Sequence, residues 1–218
     1  MAKPPDRYIP ALGYSWLTGL YDPIVRLTTR ETRFKAALLQ EAGLRAGERV
    51  LDLGCGTGTL AVQAKMLVPE IEMVGVDGDP AILMRARAKA QLAGVNIDFD
   101  QAFSQELPYP NDGFDCVLSS LFFHHLTLDS KKATFREISR VLKPGGRVHI
   151  ADWGRPSNLL MRVAYLGIQL LDGFETTADN MRGRLPQLMA DVGLVAVRES
   201  QRFATVFGTM TLYRAQKP

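Results

Sequence analysis

The nine residues from Val50 to Gly58, VLDLGCGTG, decide the fold of this chain. Val50, Leu51 and Leu53 form an apolar run that is too short for a helix and is typical of a buried strand. The residues after the run predict a helix, and between strand and helix stand three glycines, Gly54, Gly56 and Gly58. Because these positions have no Cβ atom, a ligand can lie almost against the backbone of the turn.

Size and composition set the first limits. The chain has 218 residues and is 46% hydrophobic, which suits one substantial α/β core and not two full domains. A net charge of +3 without a dense Lys/Arg block does not favour a nucleic-acid partner. The two cysteines, Cys55 and Cys116, form neither a disulfide framework nor a metal-binding pattern, and we expect no metal site.

The sequence also bears on location. The N-terminus lacks the apolar stretch of a signal peptide, and no apolar run approaches the ~20 residues that span a bilayer. We therefore expect a cytoplasmic protein without membrane contact. The apolar stripe at 157–172 is interpreted as core or as a dimer surface, and a homodimer stays open.

From residue 49 onward, strands and helices alternate. Strands are predicted at 49–54, 72–77, 95–100, 114–120 and 147–152, and helices at 57–68, 79–92 and 129–141. Such alternation indicates a doubly wound parallel sheet with helices on both faces. The tail predicts helices at 157–172 and 178–192, the second broken near Gly183 and Pro186, and then an antiparallel hairpin at 194–202 and 206–214. The prediction is thus an α/β, Rossmann-like sheet of seven strands, mostly parallel with a C-terminal antiparallel hairpin.

The same pattern predicts how the chain is divided. Residues 1–43 are expected to form an N-terminal helical arm that acts as a lid. Residues 44–218 form the main domain, and helices near 153–186 are inserted in it as a cap over the substrate.

Ligands of open α/β sheets bind beyond the carboxyl ends of the strands, where four features of this sequence meet. The glycine turn is the first, and Asp77 at the end of the second strand is the second. A carboxylate there can accept hydrogen bonds from two ribose hydroxyls. The others are the 101–108 loop and, after the fourth strand, Ser119 and Ser120 with His124 and His125.

Four segments together carry a family resemblance. They are Asp52 to Gly58 (DLGCGTG), Val74 to Asp77 (VGVD), Phe114 to Ser119 (FDCVLS) and Arg140 to Arg147 (RVLKPGGR). In this order and spacing, across 49–152, they resemble the motifs of class I S-adenosylmethionine-dependent methyltransferases. The most similar group is the small-molecule type that includes ubiquinone and menaquinone C-methyltransferases.

The resemblance implies S-adenosylmethionine as cofactor and a small, aromatic or hydrophobic methyl acceptor. It implies a cofactor site with Gly54, Gly56 and Thr57 under the methionine and ribose, Asp77 on the ribose, Gly78 and Asp79 beside the adenine, and Ser119 and Ser120 at the methionine end. We also assign Asp52 to the cofactor site, and we expect Tyr21 to close over the bound cofactor. Phe103 and Ser104 occupy the adenine-reading position. The family often has Asp or Asn where Phe103 stands, so backbone atoms, Gln101 or Gln105 would have to read the adenine here.

Methyl transfer from S-adenosylmethionine requires mainly that the nucleophile, the methyl carbon and the sulfur lie in line, because the sulfonium already carries the leaving group. A base is needed only if the acceptor must lose a proton. His124 and His125 are the first candidates, followed by Asp152, Tyr14 and Tyr21. We interpret His149 as structural, and Arg182 and Arg184 as solvated charges that could otherwise bind an acidic substrate group.

Three alternatives were weighed against methyl transfer to a small molecule. An NAD-dependent oxidoreductase needs G-x-G-x-x-G, and Thr59 stands where its third glycine would be. A nucleic-acid methyltransferase would need a base-reading tetrad or a basic appendage, and neither is present. A non-catalytic S-adenosylmethionine-binding protein stays open, although the intact glycine turn and Asp77 speak against it.

Overall fold

The structure, a computed structural model, describes residues 31–218. Tyr14, Tyr21 and most of the arm predicted for 1–43 lie outside the described residues. The first half contains α1 (Glu31–Ala42), β1 (Arg49–Leu53), α2 (Thr59–Leu67), β2 (Glu72–Asp77), α3 (Pro80–Leu92), β3 (Asp98–Gln101) and β4 (Phe114–Ser120). The second half contains a 3-10 helix (Phe123–His125), α4 (Leu128–Val141), β5 (Leu142–Trp153), α5 (Leu159–Asp172), α6 (Phe174–Met181), α7 (Leu185–Asp191), β6 (Val195–Thr205) and β7 (Gly208–Gln216).

All seven of these strands form one sheet in the order β3-β2-β1-β4-β5-β7-β6. The first five strands are parallel, and β7 runs antiparallel to both β5 and β6. The predicted fold, mostly parallel with a C-terminal antiparallel hairpin, is confirmed. The chain reverses its direction of winding between β1 and β4, which is where an open α/β sheet presents a crevice for ligands.

Alternate residues of the strands face opposite sides of the sheet, and both sides are covered. Leu51 packs in a buried cluster with Phe135 and Ile138 of α4. Its neighbour Val50 packs in a second cluster with Phe34 of α1. Helices therefore lie on both faces of the sheet, and both faces of the central strands are buried from solvent.

Local chemistry explains where two of the helices begin. The Asp79 carboxylate accepts the Ala81 N–H at 2.8 Å and caps α3. The helix predicted to start at Asp129 starts one residue earlier, because the Thr127 hydroxyl accepts the Ser130 N–H at 3.3 Å.

The strand predicted at 147–152 is longer in the structure, because β5 already begins at Leu142 and ends at Trp153. Lys217 supplies the pairing that the sequence did not reveal. Its carbonyl accepts the Gly145 N–H at 3.1 Å, and its own N–H donates to the Gly146 carbonyl at 2.8 Å.

The break predicted near Gly183 in the helix at 178–192 is present, because α6 ends at Met181 and α7 begins at Leu185. Gly183 lies between them with a φ of 68°, which needs the freedom of glycine. The first of these helices begins at Phe174, four residues earlier than predicted. The apolar stripe of α5 is core only in part: Tyr165 is fully buried, whereas Leu159 is 76% exposed and Leu170 75% exposed. Among residues 31–218, no helix has both the length and the apolar character that crossing a bilayer requires.

Candidate active site

In the glycine turn after β1, one of the three glycines has free space where a side chain would be, and the other two have none. A Cβ built on Gly56 would meet no atom within 4 Å, whereas one on Gly54 would lie 2.3 Å from the Phe122 ring. One on Gly58 would lie 3.0 Å from Ala86. All three glycines have φ between 53° and 72°, a region that other residues adopt with strain. The bare surface that a ligand could approach is thus centred on Gly56.

Asp77 holds the turn from the end of β2. One carboxylate oxygen accepts the Gly56 N–H at 2.9 Å, and the other accepts the Asp79 N–H at 3.0 Å. Burial raises the pKa of Asp77 in spite of these two hydrogen bonds. Each carboxylate oxygen can accept a second hydrogen bond, so Asp77 keeps acceptor capacity for a ligand.

Asp52 lies beneath the turn and is 1% exposed. Its Oδ2 accepts the Ala61 N–H of α2 at 3.1 Å, while Oδ1 has no hydrogen-bond partner in the described part of the chain. Burial raises the pKa of Asp52 to about 7, against the opposing effect of nearby Lys35. A buried acceptor without a donor is costly, and a donor group of a bound ligand or a water would satisfy it.

Lys89, near the end of α3, braces the same turn. Its ammonium donates to the Thr57 hydroxyl at 2.7 Å and to the Thr59 hydroxyl at 2.6 Å. The hydroxyl of Thr57, a residue predicted to lie under the methionine and ribose, therefore has a role within the protein. Sequence reasoning missed Lys89, because nothing local to α3 indicates that its last turn reaches the glycine turn.

The predicted adenine side forms around Gly78 and the start of the 101–108 loop. The Gln101 side chain donates to the Gly78 carbonyl at 3.4 Å. Ser104 is buried and its hydroxyl lies 2.8 Å from that of Thr134, so Ser104 serves packing between the loop and α4. Phe103 is half-buried beside it and has no polar group for an adenine.

Beyond β4, Ser119 and Ser120 differ. Ser119 is buried and donates its hydroxyl to the Leu53 carbonyl at 2.8 Å, which ties β4 to the end of β1. Its hydroxyl is thus directed into the sheet, leaving half-buried Ser120 at the edge. Leu121 follows in a left-handed conformation with φ of 55°, and its N–H donates to the Ala151 carbonyl.

Asp152, at the end of β5, is the centre of a hydrogen-bond network. Its Oδ2 accepts the N–H groups of Phe122 and Phe123 at 3.1 and 2.7 Å. Its Oδ1 lies 2.8 Å from the Nδ1 of His124 and 3.2 Å from the amide nitrogen of Asn180. Burial alone would raise the pKa of Asp152, but His124 and the N–H donors hold it below its usual value. The carboxylate therefore stays ionised and fixes the 3-10 helix against α6.

The two neighbouring histidines are not equivalent. His124 is buried with its Nδ1 on Asp152, whereas His125 is half-buried and its ring centre lies 4.0 Å from that of His124. Burial, with His124 alongside, lowers the pKa of His125 to about 3. His125 is therefore neutral at physiological pH and a weak base. His149, interpreted as structural, lies buried on β5, where burial lowers its pKa to about 4.

The carboxyl edge of the sheet thus brings together most of the predicted residues. Those gathered at the ends of β1 and β2 are Asp52, Gly54, Gly56, Thr57, Asp77, Gly78 and Asp79. Those that end β4 or follow it are Ser119, Ser120, His124 and His125, and β4 is the direct neighbour of β1. Tyr21 lies outside the described residues. Within 31–218, no group of three His, Cys, Asp or Glu side chains could hold a metal ion.

Comparison with known proteins defines the class. Residues 50–146 match the family described as methyltransferase domain. This match spans the glycine turn, Asp77 and the segment 140–146, and it supports a class I S-adenosylmethionine-dependent methyltransferase domain over these residues. S-adenosylmethionine is the cofactor of this class, and the NAD-dependent alternative is not favoured.

Curated proteins that are similar to this chain include ubiquinone/menaquinone biosynthesis C-methyltransferases. The chain is 39% identical over 135 residues to the ubiquinone/menaquinone biosynthesis C-methyltransferase UbiE of Pseudomonas putida, and 38% identical to that of Pseudomonas entomophila. Each match covers 61% of this chain and 52% of the relative. The chain therefore spans about half the length of the curated relatives it matches.

Solved structures agree on the fold. A methyltransferase from Aquifex aeolicus superposes with a TM-score of 0.69 at 20% identity, covering 97% of this chain and 100% of its own. The [4+2]-cyclase SpnF superposes with a TM-score of 0.66 at 19% identity, covering 85% of this chain and 80% of its own. At such identities the likeness shows the fold alone, and a cyclase with this fold means that the reaction has to be argued from the site.

Proposed function

We propose that this protein transfers the methyl group of S-adenosylmethionine to a small aromatic or hydrophobic acceptor. The observation that carries the proposal is the bare backbone at Gly56, with the Asp77 carboxylate on one side and the unpaired Asp52 oxygen below it. Such a surface accepts a ligand close to the backbone and offers it two carboxyl groups as hydrogen-bond acceptors. When bound, the cofactor supplies an electrophilic methyl group, and the protein supplies alignment.

In this proposal each part of the site has one task. Gly54, Gly56 and Thr57 support the methionine and ribose, and Asp77 accepts hydrogen bonds from the ribose. Asp52 accepts a hydrogen bond at the methionine end, and Gly78, Asp79, Phe103 and Ser104 border the adenine. For Ser119 and Ser120 we assign the methionine end to backbone atoms and to the Ser120 hydroxyl, since Ser119 donates its own to Leu53.

A base, where the acceptor needs one, is assigned to His124. The Asp152 carboxylate orients its ring and stabilises the imidazolium that would form, as the carboxylate does in other Asp–His pairs. His125, with a pKa of about 3, is a much weaker base. Replacing His124 with Gln should lower kcat at unchanged cofactor affinity, and replacing His125 with Gln should lower it less. Thermal melts of both variants separate loss of a base from loss of the fold.

The acceptor class is inferred from the surroundings and from the relatives. An aromatic side chain lies near the candidate base, since the Trp153 ring centre is 6.4 Å from that of His124. The curated relatives are named as C-methyltransferases of ubiquinone and menaquinone biosynthesis. Quinols and phenols are therefore the first acceptors to test, followed by small apolar amines.

Two expectations about organisation belong to the same proposal. Residues 1–43 would close over the bound cofactor as a lid, and the helices at 153–186 would cap the acceptor. If so, S-adenosylhomocysteine should slow tryptic cleavage within the first 30 residues of the intact protein. Equal cleavage with and without S-adenosylhomocysteine, in a protein that binds it, would remove the lid from the proposal.

Calorimetric titration tests the cofactor assignment directly. The protein should bind S-adenosylmethionine and not NADH, and Asp77→Ala should weaken binding by about 1.5–3 kcal/mol, the value of a hydrogen bond to a charged group. Asp98→Ala is the matched control, since Asp98 is exposed on neighbouring β3. The cofactor assignment would be wrong if the protein bound NADH in place of S-adenosylmethionine, or if Asp77→Ala bound S-adenosylmethionine with unchanged affinity. Transfer of a labelled methyl group to a panel of quinols, phenols and amines then tests the reaction.

A further inference from the structure

The helices proposed as the cap enclose a cavity that lies apart from the glycine turn. It has a volume of about 910 Å³ and lies between the end of β5, α5 and α6. Three arginines line it together with three large apolar side chains: Arg155, Arg162, Arg182, Leu159, Phe174 and Met181. None of the described residues that line it is acidic.

The arginines of this cavity have no carboxylate partner in the part of the chain that the structure describes. Among residues 31–218, no ion pair forms to Arg155, Arg162 or Arg182. Arg184, two residues further on, shows the contrast, because its guanidinium lies 3.2 Å from the Asp179 carboxylate. Sequence reasoning treated Arg182 and Arg184 alike, but the structure places only Arg182 at the cavity.

The apolar part of the cavity continues onto an exposed strip of α5. Leu159 and Phe174 line the cavity and are 76% and 56% exposed. Val163 and Leu170 follow on the same face of α5, 57% and 75% exposed. Exposed apolar residues that run together in this way mark an interaction site in a folded protein.

A helix separates this cavity from the candidate active site. On one face of α6, Asn180 donates to the Asp152 carboxylate at 3.2 Å and to the Trp153 carbonyl at 3.0 Å. On the other face, Phe174, Ala178 and Met181 line the cavity. The cavity is therefore a site of its own, and its ligand need not be the methyl acceptor.

We propose that this cavity binds an amphiphile with an acidic head group, a phosphate or carboxylate on an apolar chain. Three guanidinium groups without a counter-charge suit such a head group, because each can donate two parallel hydrogen bonds to its oxygens. The strip on α5 suits the chain. The same chemistry has two sources, a free amphiphile or a lipid of a membrane surface, and the experiment separates them.

The test measures binding to the full-length protein and does not depend on methyl transfer. Decyl phosphate, kept below its micellar concentration, should bind saturably by calorimetry, while 1-decanol of the same chain length should bind at least tenfold more weakly. Arg162→Gln and Arg182→Gln should each weaken decyl phosphate binding on the order of tenfold. Arg85→Gln, at an exposed arginine on α3, should leave it unchanged.

A flotation assay identifies the source. If the protein floats with phosphatidylglycerol vesicles but not with phosphatidylcholine vesicles, and binds no free decyl phosphate, the ligand is a membrane lipid. Arg162→Gln must then reduce flotation. Equal binding of 1-decanol, wild-type binding by both cavity variants, or binding of neither decyl phosphate nor vesicles overturns the proposal. Because all three arginines are exposed, these variants should melt like the wild type, and activity with S-adenosylmethionine stays a separate question.

Discussion

The ring of Phe122 lies directly on the backbone of Gly54, so that a Cβ added at Gly54 would fall 2.3 Å from its Cδ2 atom. This contact joins the exit of β4 to the glycine turn after β1. Leu121, just before Phe122, makes this contact possible by adopting a φ of 55°. This left-handed conformation costs a non-glycine residue about 1–2 kcal/mol. Strain of this kind persists where the surroundings hold it, and it is common at functional sites.

Two alanine substitutions in the glycine turn should therefore fail for different reasons. Gly54→Ala places a methyl group inside the Phe122 ring, and we expect it to lower the free energy of unfolding by at least 2 kcal/mol, from overpacking and positive φ together. Gly56→Ala points into open space and should cost only about 1 kcal/mol of stability, yet should abolish detectable S-adenosylmethionine binding. Urea unfolding and calorimetry measure the two effects.

A compensating change provides the control. Replacing Phe122 with Ala in the Gly54→Ala background removes the atoms that clash, so the double variant should regain part of the lost stability. No recovery, or normal cofactor binding by Gly56→Ala, would contradict this account of the turn.

Asp52 should make stability depend on pH in an unusual direction. Its folded pKa of about 7 lies above the unfolded value near 3.9, so the folded state holds a proton that the unfolded state releases. Its contribution to stability is fully present below the unfolded value and is lost as pH rises through about 7. Asp52→Asn should remove this slope, at most about 1.4 kcal/mol per pH unit between pH 4 and 7. Urea titrations of both proteins across that range measure the difference, and parallel curves would refute it.

The same residue should couple cofactor binding to protons. Ionised Asp52 attracts the ammonium group of the cofactor, so binding should expel the proton that burial retains on the carboxyl. Affinity for S-adenosylmethionine should rise between pH 6 and 7.5, by up to about tenfold per pH unit below the pKa. Calorimetry in buffers of different ionisation enthalpy should detect proton release. The signal should be absent in Asp52→Asn, and its persistence there would assign the proton to another group.

Asp152→Asn should be the most damaging of the buried polar changes. It removes the charge that His124 and three backbone N–H groups share, and breaking a buried pair costs about 3–5 kcal/mol. The sign of its pH dependence is opposite to that of Asp52. Because the folded pKa of Asp152 is lowered, its contribution is present above the unfolded value near 3.9 and is lost as pH falls through the folded value. Guanidinium unfolding at pH 7 gives the loss.

Asn180→Ala serves as the milder comparison for Asp152→Asn, since it removes one donor and leaves the His124 contact. It should cost less than half as much at pH 7. Equal losses in the two variants would mean that the amide of Asn180, and not the charge of Asp152, stabilises this part of the site.

The sequence allowed the sheet and much of the site to be predicted because those features are local. Asp77 ends β2 at the predicted residue, and the Asp79 cap is visible from the proline that follows it. The features that the sequence could not reveal depend on contacts between residues that are far apart in the sequence. Lys217 extends β5 across a segment that looks like a turn. Lys89 reaches the glycine turn from another helix.

The candidate site shows the same division. The pair His124 and His125 stands out in the sequence, but only the fold shows that the Nδ1 of His124 lies 2.8 Å from Asp152, 28 residues away. Ser119 and Ser120 look alike in sequence, and the difference between them is that Ser119 is directed to Leu53. Burial and long-range contacts, which no local pattern encodes, decide such assignments.

The bond between Asp152 and Asn180 has a consequence for protein engineering. The family match ends at residue 146, so the cap helices look like an interchangeable module that could be replaced by those of another enzyme. Yet Asn180 of α6 shares one carboxylate with the backbone of the 3-10 helix. A chimera that imports a foreign cap should therefore keep an amide donor at this position, or its new specificity will come with a misplaced His124.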